Sequence, residues 1–465
     1  MKLSKVKSPD TYFILSSIIV LMAILTWIIP AGNFDTTILN GREVVVGNSY
    51  HEVESNPQNL YDVLLAPVQG FIDAALIIGM ILFVGGAFGV FQKTGAVDSA
   101  IMSVTKLHGK SKIFKTLLIP ILVIVFSLSG SIWGMSEEII PFVLFFVPLA
   151  LMLGYDTITG VAIPFLGAGV GFAGACLNPF TIGIAQGIAD LPLFSGIEYR
   201  FVIWIIVTSV AIFYITRYAA KVKKNPEISI TYEADKKKRA ALNTADLENY
   251  EGMTKQHRNV MIAFVIGMII LIYGVLVHDW FIKEITALFI FMGISVAVAG
   301  RLSVKEVTGS FIQGAKDLVG TALIIAFARG ILVIAVDGNI IDTILYHLSS
   351  VVEDFHPVVS GQAMFVVQSL INFFVPSGSG QAALTMPIMA PLADLVGVTR
   401  QTAVLAFQFG DGFTNMIIPT SAVTMGVLTL ADIPWDKWAK WLLPLEIILF
   451  VIGLLLLIPP YFLNW

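Results

Sequence analysis

The chain is poor in charge and has almost no cysteine. Only 13% of its 465 residues are Asp, Glu, Lys or Arg, against about 25% in an ordinary soluble protein. Its one cysteine, Cys176, excludes an intramolecular disulfide framework and a cysteine-based metal cluster. Cys176 reads as a small packing residue and not as a nucleophile. His108, His278, His347 and His356 lie near the ends of apolar runs and share no metal spacing. No GxxxxGK[ST], HExxH or hydrolase elbow occurs, so nothing argues for an ATP-driven pump or a membrane enzyme. The net charge, 28 − 32 = −4, makes no case for nucleic acid.

What is present is apolar length. With 57% hydrophobic residues and a mean hydropathy of +0.85, the sequence predicts an all-α polytopic membrane protein. Apolar runs at about 12–30 and 63–91 read as spans, as do those at 201–219, 260–277, 285–299, 311–336, 401–430 and 438–461. The first is too long, and too poor in a cleavage signal, for a removed leader. Lys2, Lys5 and Lys7 precede it, and Lys93, Lys106, Lys110, Lys112 and Lys115 follow the second span. The positive-inside bias therefore puts the N-terminus in the cytoplasm. KVKK and KKKR mark 221–258 as a cytoplasmic linker, expected to be solvated and mobile. Trp435, Trp438 and Trp441 read as interfacial anchors.

Two stretches share one shape: an apolar arm, a small polar knot, and a second apolar arm carrying prolines. In the second (357–397) the knot is Pro376, Ser377, Gly378, Ser379, Gly380 and Gln381, followed by Pro387 and Pro391. In the first (113–153) it is Ser129, Gly130 and Ser131, then Gly134 to Glu138. Each arm is short for a bilayer crossing that needs about 20 apolar residues. We read both stretches as re-entrant hairpins, whose non-helical tips survive at membrane depth only against protein or a polar cavity. After each comes an apolar run interrupted by glycine: 157–189, with Asn178 and Pro179, and 401–430, with Asp411 and Pro419. These predict helices unwound in mid-membrane.

The halves repeat. QGFID at Gln69 matches QGAKD at Gln313, and Asp98 then meets Asp342; both aspartates read as helix caps. Ser136 aligns with Ser379, and GVGF at Gly169 with GDGF at Gly410. The first repeat spans 1–220 and the second 259–465. An extra helix at the start of the second half inverts it, giving about nine spans plus two hairpins, with the C-terminus outside. The two tips then meet near the midplane, where transporters of this build bind substrate and coupling ions.

The expected site follows. The first tip gives Ser136, Glu137 and Glu138, and the first broken helix gives Asn178, with Thr181 near it. The second tip gives Ser377, Gly378, Ser379, Gly380 and Gln381. The second broken helix gives Asp411, Thr414 and Asn415, with Thr420 and Ser421 beyond. Hydroxyls, amides and helix N-terminal N–H groups suit a carboxylate. Glu137, Asn178, Asp411 and Asn415 are candidates for a coupling ion, Na⁺ or H⁺. Three acids without an evident basic partner argue for a cationic ligand: an ion, a proton or a positively charged substrate. Arg329, inside a span, either pairs structurally or meets a substrate carboxylate.

The motifs SGSIWGMSEEIIPF, VPSGSGQAALTMPIMAPLADLVG and GDGFTNMIIPTSA resemble the YfcC-like branch of the DcuC (C4-dicarboxylate anaerobic carrier) family over essentially the whole chain. The resemblance implies a homodimer in the bacterial inner membrane, with a fixed scaffold and an elevator-type transport domain carrying both hairpins. It implies a small-molecule carboxylate substrate at Ser136, Asn178, Ser377 to Gln381 and Asp411 to Asn415. Well-studied superfamily relatives tend to have Ser-Asn-Thr type tips, whereas this first tip is Ser-Glu-Glu. Exchange of an arginine- or ornithine-type amino acid is thus the leading expectation. An Na⁺- or H⁺-coupled dicarboxylate carrier is the alternative, and a channel or membrane sensor a more distant one.

Overall fold

The computed structural model describes residues 10–39, 42–47, 49–241, 252–278, 280–350, 352, 355–463 and 465. Lys2, Lys5 and Lys7 and part of the linker, 242–251, lie outside the described residues. The first half contains α1 (Thr11–Leu25), α2 (Leu60–Asp73), α3 (Ala75–Lys93), α4 (Ala96–Lys110), α5 (Lys112–Trp133), α6 (Val143–Met152), α7 (Thr157–Ala173), α8 (Ile184–Ile188) and α9 (Ile197–Lys224). Helix α10 (Tyr232–Ala241) lies in the connection. The second half contains α11 (Lys255–His278), α12 (Ile282–Ala299), α13 (Val304–Asp317), α14 (Val319–Asp337), α15 (Ile341–Ser350) and α16 (Pro357–Phe374). It ends with α17 (Gly378–Leu395), α18 (Arg400–Thr414), α19 (Ala422–Leu430), α20 (Trp435–Leu456) and α21 (Pro459–Leu463). Two short antiparallel ladders, Gly32–Asn33 with His51–Glu52 and Thr36–Leu39 with Arg42–Val45, fold the loop after α1. Among the described residues eight helices are long and apolar enough to cross a bilayer, and α1 and α7 are shorter apolar helices. The protein is an all-α polytopic membrane protein.

The repeat is visible in atomic detail. Gln69 Nε2 donates to Asp73 Oδ1 at 2.8 Å, and Gln313 Nε2 donates to Asp317 Oδ1 at 2.8 Å. The helix breaks immediately after each aspartate, at Ala74 and at Leu318. The runs 63–91 and 311–336, expected as single spans, are therefore each two helices. Helix α2 packs on α14 and α3 on α13. Both crossings are close: a Cβ on Gly70 would lie 2.3 Å from the Ala326 carbonyl oxygen, and one on Gly314 would lie 2.2 Å from that of Gly85. The repeat shift of 244 carries Gly70 onto Gly314, so the two halves place equivalent glycines at their crossings.

Around this crossed pair stands one bundle, with α1 against α14 and α12 against α3. A second bundle packs α5 on α7 and α9, α16 and α17 on α18, and α7 on α18. Helix α19 of the second bundle lies against α14 of the first.

The linker departs from expectation where it is described. It is docked, not solvated. Buried Asp156 accepts from Tyr218 Oη and Ser229 Oγ, both at 2.6 Å. Buried Asp235 accepts from the Thr157 amide at 3.1 Å and from Thr231 Oγ1 at 2.8 Å. Lys238 Nζ reaches the Ala431 carbonyl at 2.6 Å and Lys437 Nζ the Ile230 carbonyl at 3.3 Å. Satisfying these buried carboxylates offsets the cost of desolvating them, which ties the connection to both halves.

Candidate functional site

Both stretches fold as helix–turn–helix, with turns shorter than their polar knots. Their first arms, α5 and α16, are not short as expected but are among the helices long and apolar enough to cross a bilayer. Helix α5 runs through Ser129, Gly130 and Ser131 and ends at Gly134, whose φ of +69° suits glycine. Only Gly134–Ser136 turn, before a 3₁₀ segment, Glu137–Phe142. In the second hairpin Val375–Ser377 turn, and α17 begins at Gly378 and continues through Pro387 and Pro391. Ser377 caps α17, its Oγ accepting from the Gly380 amide at 3.3 Å. The amides of Gly378 and Ser379 head that helix without intrahelical acceptors.

Both tips rest on the broken helices. A Cβ on Gly134 would lie 2.4 Å from Asn178 Oδ1. One on Gly378 would lie 2.5 Å from Thr181 Cγ2 and 2.9 Å from Asp411 Oδ2. The first break lies between Ala173 and Pro179, where Asn178 Oδ1 caps the Phe180 amide at 2.9 Å. The second runs from Asn415 to Ser421. The broken helices are joined back to back by Gln408 Nε2 donating to the Phe172 carbonyl at 2.6 Å. Trp435 Nε1 and Trp438 Nε1 donate to the freed carbonyls of Ile417, at 2.8 Å, and Met416, at 2.9 Å. Both tryptophans hold the break, and Trp438, wholly buried, is not an interfacial anchor.

A cavity of about 190 Å³ lies where the tips meet, walled by both bundles. Ser136, Glu137, Glu138, Ser377, Gly378, Ser379, Asn415 and Thr420 line it, as does Thr181. Asn178, Gly380, Gln381, Asp411 and Thr414 stand behind this wall. Gln381 is buried in a network, its Nε2 donating to Gln368 Oε1 at 2.7 Å and Gln368 Nε2 to Thr385 Oγ1 at 2.9 Å. Asn372 Nδ2 donates to Thr414 Oγ1 at 2.7 Å and to the Asp411 carbonyl at 3.2 Å. Gln381 thus ties the two arms of the hairpin together, and Thr414 holds the hairpin against α18. Gln368 and Asn372, which tie α16 to these elements, are invisible as site residues in the sequence because nothing marks them on their apolar helix.

The cavity's electrostatics are those of unpaired acid. The Ser136 amide donates to Glu138 Oε2 at 3.1 Å. Neither Glu137, Glu138 nor Asp411 forms an ion pair within 4 Å among the described residues. Asp411 Oδ1 accepts from Asn415 Nδ2 at 2.8 Å. Asp411 Oδ2, Asn415 Oδ1, Thr181 Oγ1 and Thr420 Oγ1 are buried without a hydrogen-bond partner, as is Asn178 Nδ2. Four such oxygens are donors of the kind a hard cation takes. Buried polar groups without partners are costly and cluster at functional places.

Asp98 and Asp342 sit in the first turns of α4 and α15 and not at the caps. Asp342 instead accepts from the Phe34 amide at 2.9 Å, holding the loop after α1. Cys176 is buried beside the first break, its amide donating to the Ser131 carbonyl at 3.1 Å, in keeping with a packing role.

Comparison with known proteins shows the family to which the chain belongs. "Putative basic amino acid antiporter YfcC" of Escherichia coli (strain K12) is 36% identical over 471 residues, covering 93% of this chain and 92% of that protein. An "Uncharacterized protein" of Haemophilus influenzae is 30% identical over 493 residues, covering 97% of this chain and 96% of that one. The Alcanivorax borkumensis YdaH transporter structure aligns at 18% identity with a TM-score of 0.47, over 98% of this chain and 99% of that one. The profile of the family described as "C4-dicarboxylate anaerobic carrier" (DcuC) matches residues 8–461. The chain belongs to the DcuC family of membrane transporters.

Proposed function

We propose that the protein is a secondary transporter of the bacterial inner membrane that exchanges a small amino acid with a cationic side chain. The observation that carries this is the pair Glu137 and Glu138, with no base within 4 Å among the described residues, lining one cavity with the free amides of Gly378 and Ser379. Acids read the positive end and the helix N-terminus reads the carboxylate. The cavity is below the ~300–1,000 Å³ of sites for drug-sized ligands, which fits a small solute. The name of the Escherichia coli relative agrees with this reading.

The cavity lies between two bundles. That supports an elevator in which the bundle carrying both hairpins moves against the other; we propose in addition a homodimer with a cytoplasmic N-terminus. Glu137→Gln and Glu138→Gln should each lower uptake of labelled arginine or ornithine into proteoliposomes at least 100-fold; near-normal rates in both variants would sink the assignment.

A second reading is favoured by the buried oxygens of Asp411, Asn415, Thr181 and Thr420 and by the family's description. In it the protein is an Na⁺- or H⁺-coupled dicarboxylate carrier, and the acids serve the coupling ion.

A further inference from the structure

The first bundle gives the cavity Ala74, Ile77, Phe281, Ile282, Ile325, Ala328 and Leu332, all apolar, and Arg329. Arg329 is the only polar side chain of that wall and the only basic group lining the cavity among the described residues. It stands at the middle of α14, where a charge is expensive unless it has a role. No hydrogen bond or ion pair within 4 Å engages its guanidinium among the described residues.

Arg329 also lines a second cavity, of about 490 Å³, which it shares with Asp62, Gln69, Asp73, Leu332 and Asp337. Arg329 and Leu332 are the side chains common to both cavities. The guanidinium therefore sits at their junction. Acid faces it on one side, and the hairpin tips with Glu137 and Glu138 face it on the other.

We infer that Arg329 reads the carboxylate of the transported solute from the wall opposite the tips. This assignment rests on the proposed transport of a carboxylate-bearing solute. A planar, permanently charged fork suits a carboxylate in two-point contact. In the absence of that contact, Asp73 in the second cavity acts on it through space. Glu137 and Glu138 on one wall and Arg329 on the other make a two-ended reader, which favours a solute carrying both charges. Because Arg329 and the tips belong to different bundles, the contact forms and breaks as the bundles move.

The test measures equilibrium binding to purified protein, and uptake into proteoliposomes, of arginine, of agmatine (the same guanidinium without a carboxylate) and of succinate. Wild-type protein should prefer arginine to agmatine, and Arg329→Gln should weaken arginine about 10- to 100-fold while leaving agmatine unchanged, as expected for losing a charged hydrogen-bond pair. An unchanged arginine-to-agmatine ratio in Arg329→Gln overturns the assignment. Should Arg329→Gln not elute as a folded species, Arg329→Lys decides. It keeps the charge without the fork and should reduce the ratio, whereas an unaltered ratio overturns the inference. If wild-type protein takes succinate and neither guanidinium compound, the cationic reading falls. The Arg329 assignment is then decided on succinate: weakening by the same factor upholds it and undiminished binding overturns it.

Discussion

His108 shows how the fold decides a charge that the sequence leaves open. It is buried at the end of α4, and Lys223 Nζ donates to its Nε2 at 3.0 Å. The ring therefore carries its proton on Nδ1. Burial, then Lys223, then Lys115, pull its pKa from 6.5 down to about 4. The same lysine donates to the Leu153 carbonyl at 2.9 Å and lies over the Tyr155 ring, so a charged His108 would press on the seam where the linker docks. Because the folded pKa lies below the unfolded one, the unfolded chain holds more protons between about 4 and 6.5. The stabilising contribution is present above that window and is lost as pH falls through it. The melting temperature of the purified protein should fall between pH 7 and pH 4.5, and His108→Gln, which cannot take up the proton, should reduce that fall. Parallel curves for the two proteins would count against this account. The same logic of partners sorts the acids: Asp156 and Asp235 at the linker seam are saturated by donors, whereas Glu137 and Glu138 on the cavity wall have no base within 4 Å among the described residues.

At the scale of elements, glycine sets the architecture where helices must touch. Gly70 and Gly314 bring backbones together at the two crossings of the first bundle. Gly314→Ala would place a methyl 2.2 Å from the Gly85 carbonyl oxygen, which neither backbone can yield to cheaply. Overpacking of this kind costs about 1–3 kcal/mol or more. The variant should melt several degrees lower or fail to elute as a single species, and wild-type stability would contradict the close crossing.

The elements also show what the sequence could disclose. The hairpins and broken helices were legible because proline, glycine, serine and asparagine interrupt otherwise apolar runs. Their turns proved shorter than the knots, since Ser129 to Ser131 and Gly378 to Gln381 remain helical when neighbouring helices fix them. The breaks at Ala74 and Leu318 were hidden, because neither site carries glycine or proline. Only the paired Gln-x-x-x-Asp motifs hinted at them. Most tip residues reached the cavity as expected. Arg329 came to the wall only through the packing of α14 on α2 and α19, and no periodicity within one helix reports a contact between bundles. Trp438 likewise looked like an interfacial residue until its buried bond to Met416 placed it under the break.

For the whole molecule, the two bundles divide the labour. Helices α3 and α14 and the start of α12 give the cavity an apolar wall broken, among the described residues, by a single arginine. The hairpins and broken helices form a polar wall of tips, acids and unpartnered oxygens. The docked linker holds Asp156 and Thr157 of the first half to α10, and Lys238 and Lys437 carry that connection to the second half. The hairpin-bearing bundle is thus stitched across both repeats. Its central cavity has acid at one end and, on the opposite wall, a base. The most direct test is uptake of labelled arginine into proteoliposomes loaded with or without ornithine, in the presence and absence of Na⁺ and H⁺ gradients, with succinate as the comparison solute. The account predicts arginine uptake that requires internal ornithine and no ion gradient. Succinate uptake driven by an ion gradient, with arginine excluded, would contradict it and reassign Glu137, Glu138 and Asp411 to the coupling ion.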